Sequence, residues 1–281
     1  MSKMIIKIVL LTIVLIVVGF FVSGPIFTNS ETKEKIGQLG IDENIDDKTI
    51  DFTSSEFLSL PAIVRKYLKT SINVKSKSHQ LTQLRLFGET RAEPGSEWSP
   101  TEVNFYYSLS APAFVWVSTS EQILFLWNKT INTYINESAK SEIKFLSSVT
   151  TDETEGVKLD QSYFLFYIIN SVLSPTVLLP SQNIQWTPLE KFKAEVVMWY
   201  KSVRGKAIFY FNELGNVEKV EVTDMFLPNR IDTKKEKFTL HLANYEEVDG
   251  YKIPTYLEYQ WNLSDGDFTF NRFNITDVEY K

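Results

Sequence analysis

The chain has no cysteine and only two histidines, His79 and His241, among its 281 residues. Disulfides, thiolate metal sites, a cysteine nucleophile and a lipid-modified N-terminal cysteine are excluded at once. With two histidines and no HExxH, a zinc hydrolase of that type is excluded too. There is no GxSxG, and no glycine-rich loop stands between a strand and a helix where phosphate would be cradled. Net positive charge is also missing. The formal charge is −6, and Lys3 and Lys7 are the only charges in the first 27 residues, so the remainder is more acidic still. Such a body disfavours a nucleic-acid backbone as partner. The composition calls for no cofactor and no metal. Asp265 and Asp267 read as turn residues, because a calcium loop needs more oxygens at set spacings.

Aromatic residues are plentiful: Phe 20, Tyr 13 and Trp 6. They favour strands, and the length suits one large all-β domain. The N-terminus reads MSKMIIKIVLLTIVLIVVGFFVSGPIF, two lysines and then an uncharged apolar run from Ile8 to Phe27. About 20 such residues cross a bilayer as a helix. Pro25 follows "VSG" where a signal peptide would be cut, so residues 1–27 read as an uncleaved transmembrane anchor rather than a cleaved signal. The positive-inside rule places the N-terminus in the cytoplasm and residues 28–281 outside the cell membrane. Asn29–Ser55 is polar and lacks a sustained period. Residues 28–55 therefore read as a stalk, and 56–281 as one β-rich extracytoplasmic domain.

Within that domain SLPAIVRKYLKTSI predicts a short helix, with Ile63, Val64, Tyr67 and Leu68 on one face, Pro61 in its first turn and Ser59 as its cap. In TEVNFYYSLS, Val103, Phe105, Tyr107 and Leu109 alternate with polar neighbours, the period of a strand. AFVWVSTS, QILFLWNK and TINTYINES continue in the same manner, and the ILFLW stretch is apolar on both faces. TTDETEGVKLD, Thr151–Asp160, reads as a polar break. Seven further strands are separated by turn pairs at Gly215-Asn216, Asp249-Gly250 and Asp265-Gly266, a hairpin meander. Between the two sets lies QSYFLFYIINSVLS, about four helical turns, apolar nearly all round, then TVLLPS between Pro175 and Pro180. A segment apolar on every side must be covered on every side. The fold read from this pattern is mainly β: a large curved antiparallel sheet, or half-barrel, with an apolar helix on its concave face.

The segments LPAIVRKYL, GETRAEPGSEWSP, APAFVWVS, SPTVLLPSQNIQW and DGYKIPTYLEYQW occur in this order. On them the chain resembles, from Leu60 to the C-terminus, an uncharacterised bacterial family of membrane-anchored or exported proteins, a domain of unknown function. That family is similar in architecture to the lipoprotein-carrier (LolA/LolB-like) half-barrels. The resemblance implies lid helices over an apolar cavity. This chain departs from the family pattern at Asn170, where an acidic residue is frequent, and at Asp224–Met225, where an Asp-Arg pair is frequent.

The function expected is a non-enzymatic, membrane-anchored binding protein for an apolar ligand, a lipid or a lipoprotein's acyl chain. The ligand-binding residues expected are Phe164, Tyr167, Ile168, Leu173, Val177, Leu178 and Leu179, with Trp98, Phe114 and Trp116 as lining. On this reading a charge at Leu178 abolishes lipid binding and leaves the fold intact. Two alternatives stand beside it. One is an envelope scaffold with a filled core. The other is a hydrolase using Glu97, Asp224 and Glu258 as acid and base.

Overall fold

The computed structural model describes residues 2–40, 50–76, 78–123, 126–226 and 234–281. Four helices are present among them: α1 (Ser2–Gly37), α2 (Ser55–Leu58), α3 (Ala62–Ser71) and α4 (Val157–Ile169). The first set of strands is β1 (Leu81–Thr90), β2 (Ser99–Ser108), β3 (Ala113–Ile123), β4 (Leu126–Ile135), β5 (Ser138–Phe145) and β6 (Val149–Glu155). The second set is β7 (Ile184–Glu190), β8 (Lys193–Tyr200), β9 (Val203–Phe211), β10 (Val217–Phe226), β11 (Lys235–Val248), β12 (Tyr251–Leu263) and β13 (Gly266–Tyr280).

All thirteen form one sheet in the order β6-β5-β4-β3-β2-β1-β13-β12-β11-β10-β9-β8-β7. Every pairing is antiparallel; the two sets are meanders joined where β1 pairs β13, with Thr82 opposite Tyr280. This is the mainly-β curved sheet that the hairpin turns predicted. Asp249 and Gly250 both adopt positive φ at the β11–β12 turn, the conformation a two-residue hairpin of this kind requires.

Several local readings are corrected. β1 carries only a short alternation, Leu84 and Leu86 buried around the exposed Arg85. ILFLW is not within one strand: β3 ends at Ile123 and β4 starts at Leu126, and residues 124 and 125 lie outside the described residues. The expected polar break contains β6, an edge strand whose side chains are nearly all exposed. It reads as loop because neither face is buried, and its charges suit an edge that must not recruit another strand. Pro61 occupies the N-cap position of α3, while Ser59 closes α2.

The N-terminal run is helical, and the helix continues without a break into the expected stalk, as far as Gly37. Among the described residues no helix is long and apolar enough to cross a membrane; the side chains of residues 13–18 and 20–23 are not among those described. The second half of α1 lies on the sheet. Gly24 passes the β5–β6 turn so closely that a Cβ there would collide with Ser148 Oγ. Thr28 Oγ1 donates to the Ser147 carbonyl at 2.6 Å. Lys35 Nζ reaches Glu31 and Glu142, each at 2.8 Å, and Lys144 Nζ reaches Glu31 at 2.7 Å. Burial pushes Glu31 up, but the Lys144 and Lys35 hydrogen bonds outweigh it and hold the carboxyl at about 2. Beyond the ion pairs Leu39 packs with Leu81, Ala113, Val115, Val117 and Ile131. The remainder of the expected stalk, 41–49, lies outside the described residues.

Candidate functional site

β3 shows how the core is divided. Its odd residues Val115 and Val117 face α1, and its even residues Phe114 and Trp116 belong to the main core with α4. α4 follows β6, and its 3-10 continuations Asn170–Leu173 and Pro175–Leu178 lead to β7. The helix therefore connects the two free edges of the sheet across its concave face. It packs on β9 and β10 on one side and on β4 and β5 on the other. At one end the two meanders are also tied directly: Ser202 in the β8–β9 turn donates its N–H and Oγ to Glu137 in the β4–β5 turn, at 3.2 and 2.9 Å.

The segment is a fixed plug. Tyr107 and Tyr167 stack with ring centroids 4.5 Å apart and planes 5° from parallel. Each hydroxyl donates to backbone on the other's element, Tyr107 to the Tyr167 carbonyl at 3.1 Å and Tyr167 to the Ser108 carbonyl at 3.0 Å. Burial pushes both phenols upward, so they stay protonated. Tyr259 donates to Asn170 Oδ1 at 2.7 Å, and Asn170 Nδ2 donates back to the Phe166 carbonyl at 2.8 Å. Asn170 is fully buried, and its amide satisfies both a phenol and a helix-end carbonyl. Thr82 and Ser174 hydroxyls meet at 2.6 Å. A buried polar group costs stability unless it is paired, so these bonds define one position for the plug. Gly205 on β9 permits a close approach: a Cβ there would lie 2.7 Å from Ile168 Cδ1.

Beside the plug a cavity of about 850 Å³ remains. Its walls come from the α2 region, Ser76 and Ser78–Gln80 ahead of β1, the β2–β3 turn, the Thr176–Asn183 segment and the adjoining ends of β7, β8 and β12, with His79 among them. Phe57, Phe164, Tyr167, Met198, Trp199 and Tyr251 give it an apolar and aromatic surface. Small-molecule sites of this character usually span about 300–1,000 Å³.

The residues singled out from sequence separate into three places. Phe164, Tyr167, Val177 and Leu179 line the cavity. Ile168, Leu173, Leu178, Phe114 and Trp116 lie in the packed core, the last two with Phe166 at ring distances of 5.3 and 5.8 Å. Trp98 lies elsewhere, between the guanidiniums of Arg91 and Arg272 at 4.5 and 4.6 Å. Leu178 is completely buried, and its carbonyl accepts from Trp186 Nε1 at 3.3 Å. A charge at that position disrupts the core, so the expectation that Leu178 reports on binding alone does not hold. Phe57, Thr176, Met198, Trp199 and Tyr251 were not anticipated as cavity residues. Pattern in one strand cannot show which ends of distant strands converge.

Glu97, Asp224 and Glu258 are not assembled into a site. They lie in the β1–β2 loop, on β10 and on β12, and none lines the cavity. Glu258 is held by Arg272 at 3.1 Å. Among the described residues no group of histidines and carboxylates is placed to hold a metal ion.

Residues 51–273 match the model of a family of unknown function, DUF6544. The chain belongs to this family. The match spans both meanders and the plug between them. A comparison with curated proteins gives no match. Among solved structures, a LolA superfamily protein from Nitrosomonas europaea aligns with a TM-score of 0.44 at 10% identity, covering 78% of this chain and 92% of that one. A β-barrel-like protein of domain of unknown function DUF1849 from Brucella abortus aligns with a TM-score of 0.29 at 10% identity, over 73% and 99% of the two chains.

Proposed function

We propose that this DUF6544 protein is a membrane-tethered, extracytoplasmic binding protein that holds one apolar ligand, a lipid or lipoprotein acyl chain, in the cavity beside α4. The cavity itself carries this reading. A core this well filled has no need of a further 850 Å³ space walled by Phe57, Phe164, Tyr167, Trp199 and Tyr251. Burial of an acyl chain there is driven by the apolar area removed from water, about 0.8 kcal/mol per methylene. The tether in this reading lies in the apolar run Ile8–Phe27, whose last four residues already belong to the docked half of α1, with Lys3 and Lys7 on the cytoplasmic side. The docked half of α1, Gly24 to Gly37, spans about 20 Å at 1.5 Å per residue. It leaves the β5–β6 turn at one end and reaches the Leu81–Ser108 region, next to the cavity's β2–β3 wall, at the other. The mouth would thus stand well above the membrane surface, where a ligand is exchanged with a partner.

A second reading, an envelope scaffold with a filled core, is favoured by the complete burial of α4's inner residues. The uncharged fluorophore N-phenyl-1-naphthylamine separates the two, with Trp199 in the cavity wall as energy donor. Saturable binding at one site per chain, lost in Val177→Asp and Leu179→Glu, supports the binding protein. Binding that both variants retain, or no binding at all, supports the scaffold.

A further inference from the structure

α1 leaves no slack between the sheet and a membrane that holds its apolar run. The run Ile8–Phe27 is just long enough to cross a bilayer, and docking begins inside it, at Gly24 against Ser148. One turn later Thr28 donates to the Ser147 carbonyl. With the run in a bilayer, the β5–β6 turn is level with its last residues, at the boundary between acyl chains and head groups. Ile26 and Phe27, between the two docked positions, are exposed.

The sheet is apolar at this level. Trp127 of β4 donates its Nε1–H to Ser147 Oγ at 2.9 Å, and its carbonyl accepts from the Leu146 N–H at 2.9 Å. The start of β4 is thus tied to the β5–β6 turn. Leu126 before it and Val149 at the start of β6 are both exposed. Val149 stands opposite Phe145, which stands opposite Asn128, so these ends form one rim. Leu146 holds a φ of 52°, a turn conformation that glycine and asparagine fill more readily, so an apolar side chain is kept here against the preference of the backbone. β4 and α1 run in the same direction: Trp127 is joined through Ser147 to Thr28, Lys129 meets Asn29 at 2.8 Å, and Ile131 packs with Ile36 and Leu39. Leu126 therefore projects towards the apolar half of α1. Lys129 holds its ammonium beside Asn29, two residues past the run, where lipid phosphates would lie. Glu121, opposite Trp127, is exposed to the same head-group layer. Tryptophan is enriched at that layer in membrane proteins, and an exposed apolar patch marks a contact surface. Farther along the sheet the loops at this end carry Glu93, Glu97, Asp265 and Asp267, which confines the apolar rim to the β3–β6 corner.

We infer that the β-domain rests on the outer leaflet of the bilayer through this rim, with Leu126, Trp127, Leu146 and Val149 in the interface beside Ile26 and Phe27. This second lipid contact, together with the tether, fixes the direction in which the cavity faces. The inference rests on the membrane-tethered reading above and adds a lipid-binding surface to it.

The chain has no cysteine, so a single introduced cysteine can carry a nitrobenzoxadiazole probe without background. Leu11→Cys marks the apolar run, and Leu126→Cys and Val149→Cys mark the rim. Leu214→Cys, exposed in the β9–β10 turn beside α3, marks the other end of the strands. Each full-length variant is reconstituted in phosphatidylcholine vesicles, with and without lipids bearing a nitroxide on the acyl chain. Probes at 11, 126 and 149 should shift to the blue and lose emission to the nitroxide, and the probe at 214 should do neither. Quenching at 11 with none at 126 and 149 overturns the resting contact and leaves the tether. Absence of quenching at 11 overturns the tether, and this inference with it. Quenching at 214 equal to that at 126 shows a domain lying in another orientation and also overturns the inference. Circular dichroism of each variant confirms that the fold is retained.

Discussion

At Gly205 the plug lies close against the sheet, so the contact can be tested by adding one methyl group. Its backbone conformation suits any residue, and only space is at issue. A Cβ at this position would lie 2.7 Å from Ile168 Cδ1, 3.0 Å from Leu165 Cδ2 and 3.2 Å from Phe164 Cδ1. The first of these is well inside carbon–carbon contact. Ile168 is fully buried, and its helix is held by the Tyr107–Tyr167 stack and the Asn170–Tyr259 bond, so α4 cannot retreat freely. Overpacking a dense core costs about 1–3 kcal/mol, so Gly205→Ala should lower stability by that amount. In a domain of this size each kcal/mol corresponds to about 2–4 °C in Tm. Ile168→Val removes the colliding Cδ1 and alone costs about 1 kcal/mol. In the double variant the new Cβ occupies the vacated space. The loss should then fall short of the sum of the two single losses by about 1 kcal/mol. Urea denaturation followed by tryptophan fluorescence measures all four chains. Strict additivity would show that α4 does not press on β9 at this point, and the argument for a fixed plug would fail.

Three further outcomes follow from named contacts. Tyr259→Phe leaves Asn170 Oδ1 buried without its donor and should destabilise the protein by about 1–3 kcal/mol, whereas an unchanged urea midpoint would mean that the bond does not position the plug. Trp98→Ala removes the surface between Arg91 and Arg272 and should leave ligand binding unchanged within twofold, as read by naphthylamine titration. Glu221 is pushed up by burial but pulled down further by hydrogen bonds from Lys219, Tyr210 and Lys237, to about 2 from an ordinary 4.5. A carboxyl depressed by folding stabilises the fold above the ordinary value and ceases to do so as pH falls from there towards 2. Stability should therefore decline through that window, and Glu221→Gln should flatten its part of the decline in acid denaturation curves.

The sequence made the second meander legible because Gly215, Asp249-Gly250 and Gly266 mark its turns at positive φ, and because one face of each strand is apolar. It also made the plug legible, since Phe164 to Ile169 leave no polar face for solvent. The apolar Val115 and Val117 opposite Phe114 and Trp116 were a signal of a strand covered twice. That cover is α1, whose docked turns carry Glu31, Thr32 and Lys35 and so read as solvated stalk. Their charges are instead spent on Glu142 and Lys144 of β5. Edge strand β6 was invisible for the opposite reason: paired on one side only, it buries almost nothing and keeps no alternation. The cavity was half legible. Val177 and Leu179 stand between two prolines and must be apolar for a reason, but Trp199, Tyr251 and Phe57 reach them only through the curvature of the sheet, which no local pattern encodes. Leu178 lies between them in sequence and faces the core in space.

The central claim is that the cavity beside α4 holds an acyl ligand. The direct test is to purify the full chain from a membrane-containing host, record its native mass, then extract and identify what is released. The account predicts one acyl lipid per chain, lost in Leu179→Glu while the Gly205 and Tyr259 variants, if folded, retain it. A mass equal to that of the protein alone, with no lipid taken up on addition, or a lipid that Leu179→Glu still carries, would contradict it.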